Sequence, residues 1–265
     1  MSRLAYDKIW LRPQDKPKQS QTCIIFDWDD TILCTTFLQP YHQMIFEPNF
    51  KFPPTLQKKL SELDDVADDL MIKAKQFGRV YIVTNAAQGW VELSANRFLP
   101  KVFKTLQKDV TIISARTRYE KLYPKNYQKW KVQAFLETRA DMEDDAITNL
   151  IALGDNIFEI EAAYILGNQF KSAFIKTVKF RQSPSTSELI KQIKLVLTQF
   201  DLICNQPKNL TVRLLKQSRQ EGEQNQGSPS ANRNSNGLDS GTAASSAMMQ
   251  QLQQNKSSRP KQSSA

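Results

Sequence analysis

The stretch Cys23-Ile24-Ile25-Phe26-Asp27-Trp28-Asp29-Asp30-Thr31 decides the fold. A short apolar run ends in a burst of carboxylates, which is the pattern of a buried strand carrying charge at its tip. Side chains alternate along a strand, so Asp27, Asp29 and Thr31 are expected on one side and Trp28 and Asp30 on the other. Two carboxylates then converge on one spot. That arrangement is unfavourable unless a cation lies between them or one of them takes a proton. Because the residues before the tip are apolar, the pair belongs at the carboxyl end of the strand, where open α/β sheets hold their ligands. An acidic turn after an edge strand reads the same way in isolation, so the rest of the chain has to decide.

Two further stretches have the same build. Arg79-Val80-Tyr81-Ile82-Val83-Thr84-Asn85 is an apolar strand ending in a hydroxyl and an amide, with Gly78 before it as a helix stop. Asn149-Leu150-Ile151-Ala152-Leu153-Gly154-Asp155-Asn156 ends in Gly-Asp, and Glu159 follows at helical distance. Pro124 to Phe135 offers Lys125, Lys129 and Lys131 where a helix begins. The spacing predicts strands at 22–27, 79–84, 109–114, 148–154 and 171–176. Helices are expected at 55–77, 87–97, 126–140, 157–166 and 185–200. Such alternation predicts an α/β fold, a Rossmann-like doubly wound parallel sheet with helices on both faces.

In this order the set resembles the haloacid dehalogenase superfamily of aspartate-nucleophile phosphohydrolases, over residues 20 to 180. Its motifs are an Asp-x-Asp-x-Thr strand, a strand ending in Thr or Ser, a Lys, and a Gly-Asp or Asp-Asp strand. The resemblance implies a phosphatase that forms an aspartyl phosphate on Asp27. Asp29 is then the acid and base, and its presence favours phosphatase over dehalogenase or phosphonatase chemistry. Thr84, with Asn85, binds phosphoryl oxygens, and one lysine neutralises the centre. Lys131 is the expected one because its neighbours are apolar at helical spacing, with Lys125 and Lys129 as rivals. A phosphoryl group among carboxylates requires Mg²⁺. Asp27, Asp155 and the backbone carbonyl of Asp29 are its expected ligands, while Glu159 either ligates, holds a ligated water or caps its helix. Trp28 and Asp30 are expected to face away. His42 and Arg116 are candidate substrate contacts, the first an exposed loop histidine otherwise.

The superfamily's larger members insert a cap domain after the first or second motif, for which no room is left here. Segment 32–54, rich in aromatics and prolines, is expected as a flap of strand and turn, the only piece able to cover an open site. Capless members often act on phosphate groups carried by macromolecules, so the expected partner is a phosphorylated substrate, a macromolecule included. A catalytically idle binding domain of the same fold, and a phosphotransferase using the same residues, are the alternatives.

The composition, 40% hydrophobic and 24% charged, permits one sizeable core. From about residue 205 the chain turns to Gln, Ser, Asn, Lys and Arg without aromatics, so 205–265 is expected to be a disordered basic tail. Residues 205–265 hold eight Lys or Arg against three Asp or Glu, so +5 of the chain's +9 lies there. The expected organisation is an N-terminal extension at 1–20, a catalytic domain at 21–204 and the tail. No basic stripe with interleaved aromatics marks the folded part, so a nucleic-acid partner is not expected for it. Three widely spaced cysteines and one histidine argue against zinc and disulfide frameworks. No stretch has the length of a signal or a membrane span, so a cytoplasmic protein without membrane partners is expected, the nucleus remaining open. The four acids Asp64, Asp65, Asp68 and Asp69 lie off the apolar face of the helix at 55–77 and are expected to be solvated.

Overall fold

The computed structural model describes residues 17–47, 49–140 and 147–216. Most of the N-terminal extension and the chain from 217 onward lie outside the described residues. Among the described residues six parallel strands form one sheet: β1 (Thr22–Phe26), β2 (Arg79–Thr84), β3 (Val110–Ser114), β4 (Asn149–Gly154), β5 (Phe174–Lys179) and β6 (Leu210–Arg213). Their order is β3-β2-β1-β4-β5-β6. The chain runs outward from β1 to β3, then returns to place β4 on the other side of β1. The two halves therefore part between β1 and β4, at the centre of the sheet, which opens a crevice beyond the carboxyl ends of these strands.

Both faces are covered, and strand parity sorts the core. Ile24 and Phe26 point into one cluster with residues of α2 (Pro54–Phe77), α3 (Trp90–Phe98), α4 (Pro100–Leu106) and α8 (Thr186–Asn205). Cys23 and Ile25 point into the other, with α6 (Tyr127–Ala140) and α7 (Ile157–Gly167). All five residues of β1 are buried, as a strand sandwiched between two helical layers requires. Two short helices, α1 (Thr35–Leu38) and α5 (Ala115–Tyr119), complete the set. Among the described residues no separate cap domain interrupts the sheet, and no helix is long and apolar enough to cross a membrane.

Several expectations need correction. The segment expected to belong wholly to the tail contains β6, which pairs with β5 from Lys176↔Leu210 to Lys179↔Arg213. Leu210, Val212 and Leu214 are buried, so the folded body continues past residue 204. β5 itself lies three residues later than the sequence pattern indicates, because Lys176 is buried in mid-strand and breaks the apolar run. The flap at 32–54 is helical rather than a strand and turn: α1 runs into a 3-10 segment at Gln39–Phe46. Phe52, Tyr41 and Phe50 pack against the core, while Phe37 and Phe46 are exposed. Phe52 meets Tyr41 at 5.6 Å, Phe50 at 5.3 Å and Phe98 of α3 at 5.6 Å between ring centroids, with the Arg97 guanidinium over its face.

The acids of α2 are not all solvated. Asp64 is buried, and its carboxylate accepts from the amides of Lys101 and Val102, the first turn of α4. Pro100 begins that helix without a side-chain cap of its own, so a carboxylate from a neighbouring helix satisfies its free amides. Asp68 and Asp65 contact Thr105 and Lys101 of the same helix.

Candidate active site

The site begins with the adjacency of β1 and β4. Phe26 pairs with Leu153, and the next amide, Asp27 N–H, donates to the Leu153 carbonyl at 2.8 Å. The tip of β1 is thus held beside Gly154 and Asp155. Asp27 keeps the parity of Cys23 and Ile25, so it points toward the α6 and α7 layer. There it meets Lys131, whose ammonium donates to Asp27 Oδ1 and to the Val83 carbonyl, each at 2.5 Å, and pairs with Glu159 Oε1 at 3.2 Å. Lys131 has three acceptors for its three protons and is 1% exposed. Burial opposes its charge, but Asp27 and Glu159 outweigh burial and keep it an ammonium.

The sequence left three lysines in competition. Lys125 is exposed, and Lys129 lies over the Tyr123 ring at 4.1 Å. Lys131 alone reaches Asp27, because one helical turn separates it from the exposed start of α6.

Asp27 and Asp29 both line the cleft, but strand alternation is not what brings them together. β1 ends at Phe26, and the chain then turns, with Ile32 and Leu33 amides donating to the Trp28 carbonyl. Asp29 is held by three donors from three elements: Thr35 Oγ1 at 2.7 Å, Trp90 Nε1 at 2.9 Å and Thr84 Oγ1 at 3.0 Å. Trp28 faces away as expected, buried, with its indole N–H on Ser94. Asp30 does not. It adopts the left-handed conformation at φ 55°, lines the cleft, and accepts from the Thr36 amide at 3.0 Å and hydroxyl at 2.5 Å.

Thr84 is buried at the end of β2, donating to Asp29 and accepting from the Ala86 amide at 2.9 Å. Asn85 lines the cleft and donates to the Tyr127 carbonyl. Glu159 does what its position at the start of a helix permits. Its Oε2 accepts from the Asn156 amide at 3.1 Å as part of a capping box, and its Oε1 faces Lys131.

The cleft has a volume of about 230 Å³ and is lined by Asp27, Asp29, Asp30, Asp155, Glu159 and Lys131, with amides and two aromatic rings. Five carboxylates face one ammonium. Burial, then the charges of Glu159 and Asp30, push the Asp155 carboxyl up to about 7. Burial also raises Asp27 well above the usual carboxylate range against the pull of Lys131, with Glu159 and Asp29 adding to it. Among the described residues no side chain donates to the Asp155 carboxylate. This donor set is all oxygen, short of positive charge and open to solvent, which fits a hard divalent cation. No three acidic, histidine or cysteine side chains among the described residues form a ready metal cage. Mg²⁺ does not require one, since it usually binds through one or two carboxylates and completes its shell with water and phosphate oxygens.

No described residue of 32–54 lines the cleft. His42 stacks edge-on to Trp90 at 5.2 Å and contacts the Thr35 carbonyl, so it braces two donors of Asp29 rather than facing the opening. Arg116 is exposed and paired with Glu120 at 3.1 Å. Trp90, Thr35, Tyr127 and Phe158 were invisible as site residues. They sit in no motif: the packing of α6 and α7 brings Tyr127 and Phe158 to the cleft, and that of α1 and α3 brings Thr35 and Trp90 onto Asp29. Comparison with protein-family models, with curated proteins and with solved structures returned no match.

Proposed function

We propose that this protein is a Mg²⁺-dependent phosphatase of the haloacid dehalogenase type, hydrolysing a phosphomonoester through a phosphoryl group carried on Asp27. The observation that supports it most is the buried Asp27–Lys131 pair at the tip of the central strand, 2.5 Å apart, beside the Asp155 carboxylate in an open cleft. A carboxylate so placed is a nucleophile held by one oxygen, with the other left for phosphorus. Lys131 fixes its rotamer and offers positive charge to the transferring oxygens. Glu159 fixes Lys131.

Asp27, Asp155 and the backbone carbonyl of Asp29 would hold the Mg²⁺, which supplies the charge that lets a phosphoryl group lie among carboxylates. Asp27 forms a bond to phosphorus as the ester oxygen leaves with the bonding electron pair and takes a proton from solvent. Water then displaces Asp27 from phosphorus and gives a proton to Asp29, whose side chain Thr35, Trp90 and Thr84 hold in place.

The test is release of phosphate from a panel of simple monoesters with Mg²⁺ and with a chelator, for wild type and Asp27→Asn. Magnesium-dependent release that disappears in Asp27→Asn supports the reading. Turnover by Asp27→Asn with an unchanged rate removes Asp27 as nucleophile.

A further inference from the structure

Two aromatic side chains stand at the entrance to this centre, and they come from the helices that carry its charges. Tyr127 is the first residue of α6 and Phe158 the second of α7, and both line the cleft with Asp27 and Lys131. Gln128 donates to Glu161, tying the two helices together near these ends. Tyr127 precedes Lys131 by one turn on the same helix face, about 6 Å along the axis. Its ring is braced edge-on by Trp130 at 4.8 Å and remains 53% exposed. The other lining residues are acids, amides and Lys131, so these rings are the cleft's only apolar surface among the described residues.

Asp29 accepts from Thr35 Oγ1, Trp90 Nε1 and Thr84 Oγ1, so three side chains of the fold already engage its carboxylate. An alkoxide leaves phosphorus poorly without a proton. A phenolate, whose conjugate acid has a pKa of about 10, leaves readily without one.

Resting on the phosphatase reading, we infer that the site takes phosphate monoesters of an aromatic hydroxyl, the chemistry of phosphotyrosine and of small aryl phosphates, with Tyr127 and Phe158 as the wall that holds the ring. A ring joined through one oxygen to phosphorus at Asp27 lies in the same cleft as that wall, whose Tyr127 stands about one helical turn from Lys131. Offset or edge-on contact with the two rings favours an aromatic group over an alkyl one. In the transfer, an Asp27 oxygen bonds to phosphorus as the bond to the ring oxygen breaks, and the phenolate keeps the electron pair. Water then bonds to phosphorus, the Asp27–phosphorus bond breaks, the water's proton passes to Asp29, and the phenolate takes a proton from solvent.

Calorimetric titration of the full chain in Mg²⁺ with phenylphosphonate and with methylphosphonate, neither of which loses its organic group, reads the wall directly. Wild type is expected to bind the phenyl compound about tenfold tighter, which is about 1.4 kcal/mol. Tyr127→Ala and Phe158→Ala, checked for unchanged melting temperature, should each reduce that ratio to about threefold or less. Equal affinities in wild type, or a ratio retained in both variants, overturns the inference while leaving phosphatase activity untouched. Failure of the phosphatase reading looks different, because wild type then releases phosphate from no monoester. Turnover of free phosphotyrosine against a phosphotyrosyl peptide separates the two sources: a tenfold advantage of the peptide marks a protein substrate, and parity marks a small aryl phosphate.

Discussion

Gly154 and Glu159 approach so closely that a Cβ on Gly154 would stand 2.4 Å from Glu159 Cγ and 2.9 Å from its Cβ. The end of β4 therefore lies directly under the side chain that holds Lys131. Gly154→Ala must displace Glu159 from both Lys131 and the Asn156 amide. The expected loss is about 1–3 kcal/mol of stability, as for other overpacked interiors, together with a fall in turnover because Lys131 loses one of its three partners. An unchanged melting temperature and rate would show that α7 yields without effect.

Asp155 gives a prediction with a sign. Its carboxyl titrates near 7 in the fold against an ordinary value of 3.8, so between these values the native state binds more protons than the unfolded chain. Stability of the metal-free protein falls as pH rises through that window, and the loss is complete above about 7. Asp155→Asn removes it. In chelator at pH 8 the variant should be more stable than wild type by on the order of 2 kcal/mol, while added Mg²⁺ should raise the melting temperature of wild type only. A variant less stable than wild type in chelator contradicts the picture of an unbalanced acidic cleft.

Lys176 behaves oppositely. It is fully buried in β5 with the Cys204 carbonyl as acceptor, and burial lowers it from 10.5 to about 8. Between those values the unfolded chain binds the extra proton, so stability rises with pH at up to about 1.4 kcal/mol per unit. Lys176→Met should be more stable than wild type at pH 7 and should lose this slope. The Cys204 carbonyl is not orphaned, since the Asn149 amide group also donates to it at 3.2 Å. Denaturant titrations at several pH values between 7 and 10 measure both effects, and an unaltered slope in the variant refutes the assignment.

The position of the domain end is also measurable. Truncation after Gln206 removes β6 with buried Leu210, Val212 and Leu214, and burial of such side chains contributes about 1.5–3 kcal/mol each. That protein should unfold at much lower denaturant or fail to fold. Truncation after Lys216 keeps all of them and should match the full chain in thermal stability. Equal stability of both truncations would mean that β6 adds nothing to the sheet.

The sequence by itself determined the parallel α/β fold and the strand tips at Asp27, Thr84 and Asp155, because an apolar run with a polar end is a local signal. The resemblance also called for a lysine near the start of α6, with Lys131 expected and Lys125 and Lys129 as rivals. Lys131 was decided by one turn of helix and by the burial that only the α6–α7 layer provides. β6 was illegible because four residues in a polar stretch gain their stability from Lys176 to Lys179 alongside, not from their own composition. Asp64 shows the same limit. Its spacing predicts a solvated acid, yet the free amides of α4, 37 residues away in sequence, turn it into a buried cap. Asp30 and Tyr127 reach the cleft, and Trp90 reaches Asp29, through a turn and two packed helices. Such placements depend on contacts between distant segments, which no local pattern of residues encodes.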